Sequence, residues 1–135
     1  VQTVQQAFDR YIGHGRPAFV EKQLPALSEV ARLVHARGGV VSAAHLKSFG
    51  TVANLAPLQE QGLDAVETRH PSHTGDYLAT ITDAAIALDL ARTGGSDWHG
   101  EVAAGGTHAA LGSQQVPDEW LPALRERCPS VPGLH

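Results

Sequence analysis

Three short apolar runs, each delivering histidines into a polar turn, constrain this 135-residue chain more than any other feature. They are Val40-Val41-Ser42-Ala43-Ala44, ending at His45; Leu63-Asp64-Ala65-Val66-Glu67-Thr68, leading to Arg69-His70-Pro71-Ser72-His73-Thr74; and Leu90 to Thr93, running into Gly94-Gly95-Ser96-Asp97-Trp98-His99-Gly100. Short apolar runs of this kind suit strands buried on both faces of a parallel sheet.

Helical spacing separates the runs. Leu27, Val30, Ala31 and Val34 predict a helix over 27–36 that Gly38-Gly39 ends, and residues 52–61 read as a second helix stopped by Gly62. Tyr77, Ile81, Ala84, Ala85 and Leu88 predict a third, from Asp76 to about Leu90. A strand-helix rhythm of about 25 to 30 residues is the arithmetic of consecutive βα units, so the fold class is α/β. Upstream, Val4, Ala7, Phe8, Tyr11 and Ile12 carry the spacing of an amphipathic helix that Gly13 stops. Downstream, Glu101 to Gly106 reads as a mobile loop with His108 at its edge. Leu111-Gly112 and Val116-Pro117 suggest a short terminal strand and turn, Asp118-Glu119-Trp120-Leu121 the start of a closing helix, and Pro129 to His135 a frayed tail.

Composition narrows the function. The chain is long enough for one domain with a real core but short for a complete α/β-barrel enzyme. A formal charge of -4 argues against a broad basic surface for nucleic acid, although phosphate can still be held locally through metals. The single cysteine, Cys128, excludes an internal disulfide framework and a cysteine-based zinc site, which fits a cytoplasmic, reducing compartment. No stretch reaches membrane-spanning length without charges. The chain contains no methionine and shows no signal peptide, so it reads as a mature fragment or a truncated protein.

Eight histidines against ten lysines and arginines is a high count, and their placement is informative. In βα units, functional groups gather at the carboxyl ends of the strands, where the loops converge on one mouth. His45, the His70 to His73 turn, and Asp97 with His99 all fall there. Asp97 and His99, two residues apart between glycines, read either as a metal-ligand pair or as a turn in which Asp97 caps its own backbone. Three successive strand ends bearing histidines are hard to explain by packing, and histidine with carboxylate suits Zn, Mn or Fe at a hydrolytic centre. Competing templates lack their first residue: there is no P-loop, no G-x-S-x-G elbow and no HEXXH helix.

Three motifs in this order resemble a known family. Gly38-Gly39-Val40-Val41-Ser42-Ala43-Ala44-His45, then Gly62-Leu63-Asp64-Ala65-Val66-Glu67 leading to His70-Pro71-Ser72-His73, then Thr93-Gly94-Gly95-Ser96-Asp97-Trp98-His99-Gly100, look like the second half of a PHP-domain metal-dependent phosphoesterase. The segments Phe8-Asp9-Arg10-Tyr11-Ile12 and Gly15-Arg16-Pro17-Ala18-Phe19-Val20 are similar to what precedes them in the branch acting on nucleotide and RNA phosphoesters. The resemblance implies part of a distorted (β/α)7 barrel with two to three divalent cations, Mn, Zn or Fe, at its carboxyl mouth. It makes His45, Asp97 and His99 metal ligands and assigns His70 and His73 to metal or phosphate contact. In the resulting scheme His45, Asp97, His99 and His70 hold metal, Asp97, His99 and His73 are catalytic, and His73, Arg69 and Lys47 face substrate phosphate. Two departures stand out: Leu46 replaces the family's usual proline after the first histidine, and its N-terminal His-x-His motif has no counterpart here.

The implied activity is hydrolysis of a phosphomonoester or short nucleotide or oligonucleotide by attack of a metal-bound hydroxide on phosphorus, with no membrane partner. The alternative is a non-catalytic PHP-like structural or interaction module with a partial metal site. In either case a barrel half exposes apolar surface and strand edges, so a missing N-terminal half or self-association is expected to cover its open face.

Overall fold

The computed structural model describes residues 1–98 and 109–130. Three parallel strands, β1 Ser42–Ala43, β2 Ala65–Arg69 and β3 Ala91–Gly94, form one sheet in the order β1-β2-β3. Ser42 pairs with Ala65 and Ala43 with Val66; Ala65, Val66 and Glu67 pair with Ala91, Arg92 and Thr93. An irregularity between Glu67 and Arg69 then lets Arg69 face Gly94. Sequential strands that lie side by side and parallel need a crossover, and the helices supply it. Helix α2 (Leu27–His35) precedes β1, α3 (Val52–Gln59) links β1 to β2, and α4 (Asp76–Ala87) links β2 to β3.

The local chemistry of these helices follows the sequence. Thr51 caps α3 by accepting from the Asn54 amide, and Gly62, at φ 101°, carries the chain out of it. Leu55 of α3 and Ile81, Ala84 and Ala85 of α4 close over Val66, Leu63 and Leu90, and Leu55, Val66, Ile81 and Ala85 are fully buried. Val41, Ala43 and Leu46 pack against this cluster from β1 and the turn after it. Helix α2 is fastened by polar contacts: His35 Nε2 meets Asp64 Oδ2 at 2.7 Å, and the same oxygen accepts the Val41 amide at 2.7 Å. The Ser42 and Thr93 hydroxyls hydrogen-bond across the sheet at 2.9 Å.

Three expectations change on the structure. The first apolar run is not buried on both faces: β1 is two residues long, Ser42 and Ala44 are exposed, and among the described residues it pairs on one side alone. The N-terminal spacing makes a helical turn, α1 (Val4–Ala7), that widens into a π-helical turn over Phe8–Ile12, yet Val4, Phe8, Tyr11 and Ile12 all stay exposed. Leu111-Gly112 and Val116-Pro117 form turns and irregular chain, not a strand; Val116 lies against Gly94 instead. The closing helix, α5 (Trp120–Glu126), packs on β3 and places Trp120 beneath the Arg92 guanidinium, 4.6 Å from the ring centre. The expected loop 101–106, His108 and most of the C-terminal tail lie outside the described residues.

Gly50 shows how tightly α4 approaches the turn after β1. A Cβ there would lie 2.1 Å from Ile81 Cγ1, inside the core. Gly50→Ala is therefore expected to cost about 1–3 kcal/mol through overpacking, read as a lower urea midpoint at unchanged m-value.

Candidate metal centre

The three strand ends deliver their polar residues to one place. After β1 the chain turns through His45 at φ 58° and Lys47 at φ 47°, left-handed values that non-glycine residues seldom adopt. Side chains from β2 and its following turn hold this bend. The His45 amide donates to Glu67 Oε2 at 3.0 Å, and the Lys47 amide donates to His73 Nε2 at 3.2 Å.

The turn after β2 orients its two histidines differently. His73 donates from Nδ1 to the Thr68 carbonyl at 3.2 Å, so both of its nitrogens have backbone partners. His70 is anchored at Nδ1, 2.7 Å from the Ser72 hydroxyl and 3.1 Å from the Ser72 amide, which leaves Nε2 facing the mouth. The Ser72 amide donates to Nδ1 and the Ser72 hydroxyl can donate or accept there, so the turn fixes the ring through Nδ1 and presents Nε2. Ring centres of His45 and His70 are 4.5 Å apart, and those of His70 and His73 5.2 Å.

From β3 comes the aspartate. Gly94 passes so close to Arg69 that a Cβ would lie 2.7 Å from Arg69 Cβ and 2.8 Å from its carbonyl oxygen, which explains the glycine at this strand end. The Gly95 amide then bonds the Arg69 carbonyl at 2.9 Å, and the chain reaches Asp97 at φ 52°. Its carboxylate spans two histidines: Oδ1 is 3.8 Å from His45 Nε2, and Oδ2 is 3.7 Å from His70 Nε2.

These distances suit an ion. Ligand atoms about 2.1 Å from a shared cation sit about 3 to 3.5 Å from one another in tetrahedral or octahedral geometry, so contraction by a few tenths of an ångström brings Asp97 and the two imidazoles into range. His45, Glu67 and His70 likewise offer ligand atoms within 4.8 Å of each other. The strongest sign is His70 Nε2, a buried nitrogen with no hydrogen-bond partner among the described residues. A buried polar atom left so costs about 1–3 kcal/mol unless a ligand meets it.

Of the residues singled out from sequence, His45, His70, His73 and Asp97 are brought together. His99 lies outside the described residues. Lys47 is exposed on the turn. Arg69 is directed elsewhere: its guanidinium donates to the carbonyls of Gln114 and Gln115 and lies 5.5 Å from the centre of the Trp120 ring. The residue sequence reasoning passed over is Glu67, a half-buried carboxylate in the middle of β2, directly after the buried Ala65 and Val66. That position was the available signal, because a charge on a buried strand needs a partner.

Burial pushes the His73 imidazole below its ordinary value of 6.5; the bond to the Thr68 carbonyl and the Glu67 charge oppose this, while His70 and His45 reinforce it. The native ring thus binds a proton less readily than the unfolded chain. Its contribution to stability is complete above about pH 6.5 and is lost as the pH falls below that. In chelator-treated protein the melting temperature is expected to drop between pH 7.5 and 5.5, with a shallower slope for His73→Gln; an identical slope would show that His73 does not contribute.

No family model matches the chain. Over 99 residues it is 28% identical to a 5'-3' exoribonuclease of Haemophilus influenzae, covering 70% of this chain and 36% of that protein. Over 73 residues it is 36% identical to a phosphoribosyl 1,2-cyclic phosphate 1,2-diphosphodiesterase of Eggerthella lenta, covering 54% of this chain and 28% of that one. The fold superposes with a TM-score of 0.69 and 26% identity on a crystal structure of a Bifidobacterium adolescentis protein described as a metal-dependent phosphoesterase, over 99% of this chain and 48% of that protein. The chain therefore spans about a third of the curated relatives and about half of the solved structure. In motif order, fold and these likenesses the chain is similar to PHP-type metal-dependent phosphoesterases.

Proposed function

We propose that the chain forms part of a distorted (β/α)7 barrel whose mouth hydrolyses a phosphomonoester or a short nucleotide or oligonucleotide. The observation that carries this reading is the buried, unpartnered Nε2 of His70 set against Asp97, with His45 and Glu67 beside it. The names of the two curated relatives, an exoribonuclease and a phosphoribosyl cyclic phosphate diphosphodiesterase, support phosphoesters that contain ribose.

In this reading His45, Glu67, His70 and Asp97 hold divalent cations of the Mn, Zn or Fe type, and His99 completes the pair begun by Asp97. Bound there, such cations supply Lewis-acid polarisation of a phosphoryl oxygen and activation of water. The chain's own part is placement. Glu67 fixes the His45 amide, Ser72 fixes the His70 ring, and the crossing of Gly94 over Arg69 brings Asp97 to both imidazoles. Lys47, exposed on the same turn, is offered to a phosphate in this reading, whereas the Arg69 guanidinium is held by the carbonyls of Gln114 and Gln115. No helix among the described residues is long and apolar enough to cross a membrane.

Calorimetric titration with Zn or Mn should show uptake by the chain, with affinity falling at least about tenfold in His45→Ala, Asp97→Ala and Glu67→Gln. The glutamine variant is informative because it keeps an acceptor for the His45 amide while removing the charge. Phosphate release from a nucleoside bisphosphate should stop on chelation and fall at least about a hundredfold in Asp97→Ala. Undiminished release by Asp97→Ala would end the phosphoesterase reading, whereas cation uptake without release would leave a non-catalytic module.

A further inference from the structure

The mouth holds three histidines with unlike surroundings among the described residues, and the difference assigns them different work. His45 is exposed, and His70 presents an unpartnered Nε2. His73, 4% exposed, has neither nitrogen left over. The Lys47 amide can only donate, so Nε2 of His73 carries no proton; the Thr68 carbonyl can only accept, so the proton is on Nδ1. Such a ring has no lone pair for a cation and no proton for a phosphate oxygen unless a backbone bond breaks.

The amide that His73 holds belongs to the turn on which His45 is displayed. That turn is pinned three times in succession. The His45 amide bonds Glu67, the Leu46 side chain packs into the core, and the Lys47 amide bonds His73. Two of these residues occupy left-handed backbone, a conformation that persists where surrounding contacts over-determine it. Released from His73, the turn can relax to ordinary dihedrals and swing the His45 ring away from His70 and Asp97.

We propose that His73 is a positioning residue: a neutral imidazole strut between the Thr68 carbonyl and the Lys47 amide that locks the turn presenting His45 to the mouth, and not a metal ligand, phosphate contact or proton donor. This rests on reading the mouth as a cation site. It divides the His-Pro-Ser-His turn into one histidine that faces the ligand and one that faces the protein. Glutamine is the discriminating replacement. The nitrogen and oxygen of its amide are spaced like the two nitrogens of imidazole, about 2.2 Å apart, so it can donate to Thr68 and accept from Lys47 together.

The test uses the full chain with zinc as probe. Calorimetry should show zinc affinity at least about tenfold weaker in His73→Ala and within about threefold of the parent in His73→Gln, the behaviour of a residue that orients a ligand. Nitrogen-15 spectra of the histidine rings should show His73 protonated at Nδ1 with and without zinc, while His45 and His70 shift on zinc addition. Zinc-induced movement of the His73 Nε2 resonance, or a glutamine variant as weak as alanine, would overturn the proposal. Exchange of the Lys47 amide in metal-free protein separates this idea from the metal reading. If the parent takes up no zinc the metal reading fails alone, and the strut still stands or falls on faster Lys47 exchange in His73→Ala than in His73→Gln. Where the alanine variant does not fold, the ring spectra of the parent and the affinity of the glutamine variant decide.

Discussion

Among the described residues β2 is the strand hydrogen-bonded on both sides, and the mouth hangs from it. Its first residues, Ala65 and Val66, are fully buried, so the strand cannot slip without exposing its apolar set. Parallel pairing then forces the ends of β1 and β3 to emerge beside its own. Because strands that run the same way finish at the same edge, His45, Glu67, His70 and Asp97 meet although they span more than fifty positions of sequence. The helices provide the return path and the hydrophobic weight: Leu55 and Ile81 close over Val66 and leave the opposite edge polar.

Beyond that frame the mouth is made of strained backbone held by specific bonds. His45, Lys47 and Asp97 all have positive φ, a conformation that costs about 1–3 kcal/mol per residue where nothing compensates. Glu67 and His73 compensate at the first bend, and the Gly95 amide on the Arg69 carbonyl steadies the approach to the third residue. Histidine and aspartate are among the residues that enter this region most readily, which is part of why they can serve here. Arg69 belongs to the same economy of placement. With its guanidinium on the Gln114 and Gln115 carbonyls and near Trp120, it ties the C-terminal segment to the sheet instead of reaching into the mouth.

Much of the fold was legible because its signals are local. Glycine at 62 and the spacing of Leu27, Val30 and Val34 place their elements to within a few residues of the observed ends. Apolar content misled where burial depends on neighbours. The Val40 to Ala44 run looked like an interior strand, yet among the described residues β1 sits at an edge with Ser42 in solvent, and the spacing around Val4 to Ile12 formed helical turns whose apolar side chains stay exposed. Leu46, where the family resemblance led to an expectation of proline, packs against the core while its neighbours turn through left-handed backbone.

For the site, the sequence by itself determined which chemistry is possible: histidines and an aspartate at successive strand ends, with a single cysteine far along the chain and no P-loop or serine elbow to support another kind of centre. What tertiary structure decided is which atoms of those residues are available. His70 and His73 are equivalent on paper, three residues apart in one turn, but Ser72 turns the Nε2 of one toward the mouth while Thr68 and Lys47 consume both nitrogens of the other. Glu67 enters the site for the same reason, since only the pairing of β2 with β1 reveals that this mid-strand carboxylate meets His45 and His70. The partner that separates them, the Lys47 amide, lies on another strand end and far from His73 in sequence, so which ring nitrogen is left available is a property of the folded chain.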